Sequence, residues 1–424
     1  MYRCTMLGRL AFLVALGAVA ATLVSSDASA QDTDRALHSG WLRSSYLTGD
    51  WGGRRARLNE RGIVPFARYT SGFWSNLRGG FETGTRYEGF AQWGIDLDLE
   101  LLAGWKGARF YIDWYSYHGG QPSTDLVGSF PTTTVSGWET SNVVRFYEIF
   151  LQQEWMEGRW LLKAGQLASD DDFFVVSNDD ALLNGTFGFF GLGRTQGIFP
   201  FYPLAAPGVH LQLSGSEKKW VGQVGVYTSD PGGDTSGNHG FGWTFDEGVS
   251  VLGEIQTIRS VSGRRGKYGV GAALTTDEVP NFETGGSSYG GYVLYALIDQ
   301  DLTVASASRP SLGVFLRSYG APQPERQFTL WYLDLGRKLG GFLAGRSEDV
   351  VTLGFAHLAF SPDYVDSLRA DVVVVSRRQS VLEAAYRAQI TGWLTLQPDL
   401  QVFFDPHFSR RDAIVIGLRA VMDL

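Results

Sequence analysis

Residues 91–101 read AQWGIDLDLEL, and this run decides the class of fold. Ala91, Trp93, Ile95, Leu97, Leu99 and Leu101 fall on one side of an extended chain, while Gln92, Gly94, Asp96, Asp98 and Glu100 fall on the other. Successive side chains of a strand point to opposite faces, so strict alternation marks a ribbon with one apolar and one polar surface. Shortly afterwards ARFYIDWY (108–115) repeats the pattern, setting Ala108, Phe110, Ile112 and Trp114 against Arg109, Tyr111, Asp113 and Tyr115.

Similar segments begin near Val64, Val143, Trp160, Gly208, Trp220, Val251, Tyr268, Tyr289, Leu312, Thr329, Val351, Glu383, Leu394 and Ala413, which makes sixteen strands with the two above. Val372–Val375 is a further apolar run and is assigned to a loop. Long and short connections alternate through the first half of the chain and at its end, less well from Asp299 to Val350. Outer-membrane barrels alternate in this way, on an even number of strands, whereas a soluble sandwich has no reason to. The apolar faces carry too many Trp, Leu and Ile to fit inside sixteen strands, a size that leaves an aqueous channel, so the polar face is expected to line the lumen. Ile414, Ile416, Leu418, Ala420, Met422 and Leu424 form a last apolar stripe, which resembles the assembly signal of such barrels with Leu in place of the commoner Phe.

Composition agrees and removes other classes. The 424 residues carry 36 Lys+Arg against 44 Asp+Glu, a net charge of −8 that disfavours a phosphate-gripping nucleic-acid binder. With 14% aromatic and only 19% charged residues the chain is not disordered in bulk. A single cysteine excludes a disulfide scaffold and a cysteine metal cluster. Glycine is abundant at 54 and proline scarce at 14, as tight-turned β-proteins require. Arg3 and Arg9, the apolar run Leu10–Val24 and Ala28-Ser29-Ala30 read as a signal peptide over 1–30 that also takes Cys4 away. No later stretch is long and apolar enough for a helical span.

The resemblance to a known family is carried by four stretches. LTGDWGG (47–53) is followed by Arg54, Leu58 and Gly62. KAGQLASDDDFF covers 163–174, and LAGRSEDVVTLG covers 343–354. The region 383–406 runs from Glu383 and Tyr386 through WLTLQPDLQVFFDP. Together they resemble the carbohydrate-selective porin (OprB) family; Asp405-Pro406-His407 departs from the Asn-Pro-Gly more usual there. The resemblance implies a 16-stranded, all-β, antiparallel outer-membrane barrel that passes sugars by facilitated diffusion. Expected partners are carbohydrate solutes, outer-membrane lipid and the barrel-assembly machinery, with a homotrimer left open, no nucleic acid and no cofactor. A less selective porin for small anions or organic acids, or a barrel for polysaccharide export, is the alternative.

The division expected is a signal peptide at 1–30, a periplasmic segment at 31–63 and the barrel at 64–424. Asp50 is placed to cap a short helix over Trp51–Arg61, whose basic face would be Arg54, Arg55, Arg57 and Arg61, as a plug at the barrel's lower end. The inward face is expected to offer Arg68, Asp96, Asp98, Glu100, Arg109, Tyr111, Asp113, Tyr115, Arg145, Lys163, Glu383 and Arg387. Arg and carboxylate groups suit vicinal hydroxyls, and flat rings suit the C–H faces of a pyranose; the same charges can also satisfy one another across a wet wall. The connection 167–207 is too long for an idle loop. Its Asp170, Asp171, Asp172, Phe173, Phe174, Phe187, Phe189, Phe190 and Arg194 are expected to fold into the barrel mouth, the acidic and Arg groups lining a constriction. An external cap or a subunit contact is the rival reading. No nucleophile elbow, phosphate loop or helical His pair appears, so no enzyme is expected; His210 is the strand residue an enzyme would have to use.

Overall fold

The computed structural model describes residues 44–424 apart from 132, 189–198, 229–230, 247, 306–308 and 371–374. The expected signal peptide at 1–30, the rest of the segment to residue 43, Phe189, Phe190 and Arg194 therefore lie outside the described residues, as does most of the run Val372–Val375. Sixteen strands follow one another: β1 Ile63–Arg78, β2 Gly84–Asp98, β3 Ala108–Gly119, β4 Val143–Trp155, β5 Trp160–Leu167, β6 Ala206–Ser214, β7 Trp220–Thr228, β8 Val249–Val261, β9 Arg264–Asn281, β10 Gly286–Thr303, β11 Ser311–Gly320, β12 Thr329–Gly340, β13 Val350–Phe360, β14 Arg378–Gln389, β15 Leu394–Phe404 and β16 Ala413–Asp423. Each pairs antiparallel with the next, and β1 pairs with β16 from Arg68↔Asp423 to Arg78↔Ile414, closing the barrel. Closure leaves no strand edge unpaired, the condition a sheet must meet within lipid.

The alternation read from the sequence decides which way the strands face. Phe73, Ile95, Ile255, Val270, Leu294 and Leu418 are exposed on the outside, with Ile95 39% and Phe73 56% accessible. The alternate positions turn inward, as shown by the buried Arg317, Asp334, Glu383 and Gln401. Arg or Lys at mid-membrane on the lipid side would cost roughly 2–4 kcal/mol each, which fixes the sense of the sheet. The two rims differ. At the rim holding Ile63 and Asp423 the connections are 99–107, 156–159, 215–219, 262–263, 304–310, 341–349 and 390–393. Ser262 and Gly263 both have positive φ, 53° and 76°, as a two-residue hairpin turn matched to strand twist demands. The other rim carries 120–142, 168–205, 229–248 and 361–377, the last with a helix at Pro362–Ala370.

The inner wall departs from the expectation of a uniformly polar lumen. Leu252, Val293, Leu297, Phe315, Val381 and Val415 are buried in one cluster with Phe130, Phe173, Phe174 and Phe187 from the loops. The loops fold into the barrel and dry that part of the wall, so apolar residues are stable there. Below, the helix α1 spans Arg54–Glu60, shorter than expected, and Gly53 stands at its N-cap. Asp50 instead accepts the N–H of Ala56 at 3.1 Å. Arg55 is not on a solvated basic face: it is buried between Tyr46 and Trp51 and donates to the carbonyl of Leu424 at 2.8 Å. With Leu424 N–H donating to Ala67, this end of β16 is tied into the closure. Deleting Val421–Leu424 should therefore sharply lower the yield of heat-modifiable barrel; an unchanged yield would contradict this closure.

Candidate functional site in the barrel lumen

The segment after β5 crosses the lumen along the wall, and each of its steps is held by a polar group on an inward strand position. Asp172 takes Lys163 at 2.8 Å, and the N–H of Phe174 reaches Glu254 on β8 at 2.9 Å. Ser177 N–H and the Asn178 amide both bond Asp299 on β10, at 2.8 and 2.6 Å. Asp179 pairs with Arg317 on β11 at 2.7 Å, and Asp180 with Lys338 on β12 at 2.8 Å and Arg387 on β14 at 3.2 Å. Glu383 then receives the N–H groups of Leu183 and Asn184 at 2.5 and 3.0 Å. A loop backbone that leaves water must find partners for its N–H groups, and these carboxylates supply them.

A second loop, 120–142, joins the first and was not anticipated from the sequence. Gly137 N–H donates to Leu183 and Gly185 N–H to Thr134, at 2.7 and 2.9 Å, so the two segments pair inside the barrel. Gln401 on β15 holds Val135, and Gln379 on β14 accepts the N–H groups of both Phe130 and His407. The nearest signal in the sequence was Phe130 and Val135 in a loop otherwise rich in Ser and Thr.

Between the loops and the β1–β4 wall the lumen is lined by rings and charges. Phe66 stacks on Tyr111 at 5.8 Å and 15°, and Tyr111 on Phe150 at 5.1 Å and 22°, forming a ladder across four strands. Gly94 makes it possible: a Cβ there would lie 2.7 Å from the Phe66 ring and 2.8 Å from Asp113. Arg109 lies 5.3 Å from the Tyr111 ring centroid and forms a two-pronged pair with Asp96, both contacts at 2.7 Å. Lys163 lies 5.4 Å from Phe150. Asp171 and Asp180 are exposed on the loop side.

The expected residues thus separate into groups. Arg68, Asp96, Arg109, Tyr111, Lys163 and Arg387 keep accessible surface on the inward face, Arg68 pairing with Asp423 at 2.7 Å. Asp113, Tyr115, Arg145, Phe173 and Glu383 are all buried, which corrects their expected place on the channel surface. Arg145 is taken up by Tyr115, Asn238 O, Thr235 O and Asp234; Asp113 is held by Gln92, Tyr111 and the Glu148 N–H. Phe173 packs edge-on against His210. Asp98 ends β2 and caps a short helix, α2 Leu99–Ala103, that contains Glu100, so Glu100, Leu99 and Leu101 sit at the rim and not on the strand. Asp170 turns back to accept the N–H of Tyr202. His210 is buried beside Gln223 and Asp172. Phe66 and Phe150 were missed.

Two loop carboxyls and one loop histidine are among the described groups displaced from their ordinary ranges. Burial, then the charges of Asp171 and Glu88 respectively, push the Asp170 and Glu139 carboxyls up to about 8. Burial lowers His407 to about 4, its ring packed by Phe130, Phe360, Tyr364 and Phe408. The raised carboxyls favour the protonated, folded loop, so their contribution is full in acid and lost as pH rises through about 8. His407 acts oppositely: its contribution holds above about 6.5 and is lost as pH falls toward 4. Hydrogen exchange, corrected for intrinsic rates, should show 168–172 deprotected above pH 8 and 405–412 deprotected toward pH 4; flat protection across both windows would contradict this.

The profile described as "Carbohydrate-selective porin, OprB family" matches residues 82–424. The chain belongs to the OprB family. Porin B of Pseudomonas aeruginosa is 24% identical over 405 residues, covering 86% of this chain and 87% of that protein. The high-pH structure of Pseudomonas putida OprB superposes with a TM-score of 0.82 at 22% identity, covering 90% of this chain and 99% of the other. The outer membrane channel DcaP of Acinetobacter baumannii shares the barrel more distantly, at a TM-score of 0.52 and 9% identity over 85% of this chain and 97% of the other. This OprB-family chain is an outer-membrane porin for carbohydrates, and its fold is that of a channel.

Proposed function

We propose that sugars cross along the stacked Phe66 and Tyr111, backed by the buried Phe150, with Arg109, Asp96, Lys163 and Arg387 bonding their hydroxyls. The observation that carries this is the ladder's accessible end: Phe66 and Tyr111 stacked beside a two-pronged Arg–carboxylate pair, with Phe150 buried behind Tyr111 as its support. Rings give an apolar platform to the C–H face of a pyranose, and the charged pair offers both donors and acceptors to its edge. Both partners already satisfy one another, which keeps binding weak enough for the solute to leave. The described parts of loops 120–142 and 168–205 form the constriction, with Asp171 and Asp180 facing the channel. The rim holding Ile63 and Asp423 is periplasmic, α1 serving there as a plug, and the signal peptide is removed on export. Assembly by the barrel machinery, a lipid-facing belt and a homotrimer complete the reading. Phe66→Ala should weaken sugar block of ion current several-fold, since Phe66 forms one end of the platform, with conductance otherwise retained. Block equal to that of the unmodified channel would remove Phe66 from the path.

A further inference from the structure

At the Ile63/Asp423 rim, three neighbouring hairpin ends, 156–159, 215–219 and 259–265, carry Arg159, Lys218, Lys219, Arg259, Arg264 and Arg265. The same ends hold two carboxylates, Glu157 and Glu217, the latter paired with Lys219 at 2.5 Å. The concentration is local. In a chain of net charge −8, no other hairpin end on this rim carries more than one unbalanced cation: 99–107 has Glu100 and Lys106, 304–310 has Arg309, 341–349 has Arg346, Glu348 and Asp349, and 390–393 has no charge. The ends also touch. Ser214 N–H donates to Arg159 O at 2.8 Å, and Ile258 N–H to Lys219 O at 2.9 Å, so the cations form one continuous arc.

A second feature sets the depth of that arc. Trp155 and Trp160 are directly paired across β4 and β5, and both are exposed on the outer face, as is Trp220 at the start of β7. Trp220 pairs with Thr257, which pairs on its other side with Tyr268. Indole and phenol rings on the outside of a barrel settle at the level of the lipid headgroups. Arg259 stands on the same outer face two residues rimward of Thr257. Apart from Arg265, which shares the inward parity of Lys267, the cations thus lie just beyond the ring belt, where lipid phosphates lie and attract basic residues.

We infer that this arc binds the headgroups of anionic phospholipids, phosphatidylglycerol being the simplest, in the leaflet next to the Ile63/Asp423 rim. The assignment of phospholipid, as opposed to the phosphates of lipid A, rests on that rim being periplasmic as proposed above. The test uses the whole detergent-purified channel and native mass spectrometry with phosphatidylglycerol, phosphatidylethanolamine and lipid A. The unmodified protein should retain phosphatidylglycerol several-fold over phosphatidylethanolamine, with the preference shrinking as salt rises. Combining Arg159→Gln, Lys218→Gln, Lys219→Gln, Arg259→Gln and Arg264→Gln should bring the two lipids to parity. Arg410→Gln with Arg411→Gln, at the opposite rim, should leave the preference intact. Heat-modifiable migration and sugar block on the same preparations report the fold and the porin reading separately. A preference that survives the five substitutions overturns the inference, as does retention of lipid A above phosphatidylglycerol. Loss of co-sedimentation with isolated peptidoglycan, without any change in lipid retention, would assign the arc to the cell wall instead.

Discussion

Replacing Arg317 with alanine should raise single-channel conductance several-fold and make the open current noisy. Arg317 is buried, with the 0%-exposed Asp334 side chain at 2.6 Å on one side and the loop's Asp179 at 2.7 Å on the other. It also donates to the carbonyl of Phe174. Removing the cation leaves two buried carboxylates facing each other, and breaking such a pair costs about 3–5 kcal/mol. The barrel's backbone ladder is untouched by the change. The loop is therefore the part that yields, leaving the wall at Phe174 and Asp179. Arg317→Lys should recover the effect only in part, because a point charge cannot serve two carboxylates and a carbonyl in the way a planar fork does. Unaltered conductance and quiet current in Arg317→Ala would show that the loop is seated without this pair.

Arg109→Ala and Tyr111→Ala should each weaken sugar block about tenfold, the equivalent of roughly 1.4 kcal/mol. They should differ in every other respect. Arg109 is partly accessible and its partner Asp96 can turn to water, so its loss costs little stability. It removes one positive charge from the lumen, and ion selectivity should move toward cations. Tyr111 is the middle ring of the ladder, so its truncation separates Phe66 from Phe150 and should leave ion selectivity nearly unchanged. If Arg109 serves only as the wall partner of Asp96, block persists in Arg109→Ala while the selectivity shift remains. Unchanged block in both variants would take β3 out of the sugar path.

The strands were legible because a barrel wall has only two environments, lipid and lumen, and β3 alternates between them residue by residue. The sequence-based reading failed where local backbone geometry breaks that parity. On β4 the pairing passes from Ile112↔Ile149 to Trp114↔Phe146, so Asp113 stands opposite both Tyr147 and Glu148. Such a bulge shifts every later residue to the other face, and Phe150 joins the lumen ladder for that reason. At the end of β2, Asp98 accepts the N–H groups of Glu100 and Leu101 and turns an apparently continuous strand into a helix.

Site residues were less legible than strands, for a different reason. Alternation says that Asp113, Arg145 and Glu383 point inward, but not what occupies the lumen opposite them. Loops far away in sequence do: Glu383 meets Leu183 and Asn184, and Arg145 meets Asp234 and Asn238. An inward charge serves either solute or a loop backbone, and only the path of the loop decides between them. Phe173 and Phe174 are buried against the inner wall, in the packing beneath the channel surface.

Ion current through single channels in a planar bilayer, titrated with a panel of sugars and of small organic anions, tests the central claim most directly. The account predicts saturable, concentration-dependent block by pyranose sugars, weakened in Tyr111→Ala, with organic anions acting only through their charge. Saturable block by organic anions, with sugars passing unnoticed at every concentration, would contradict it.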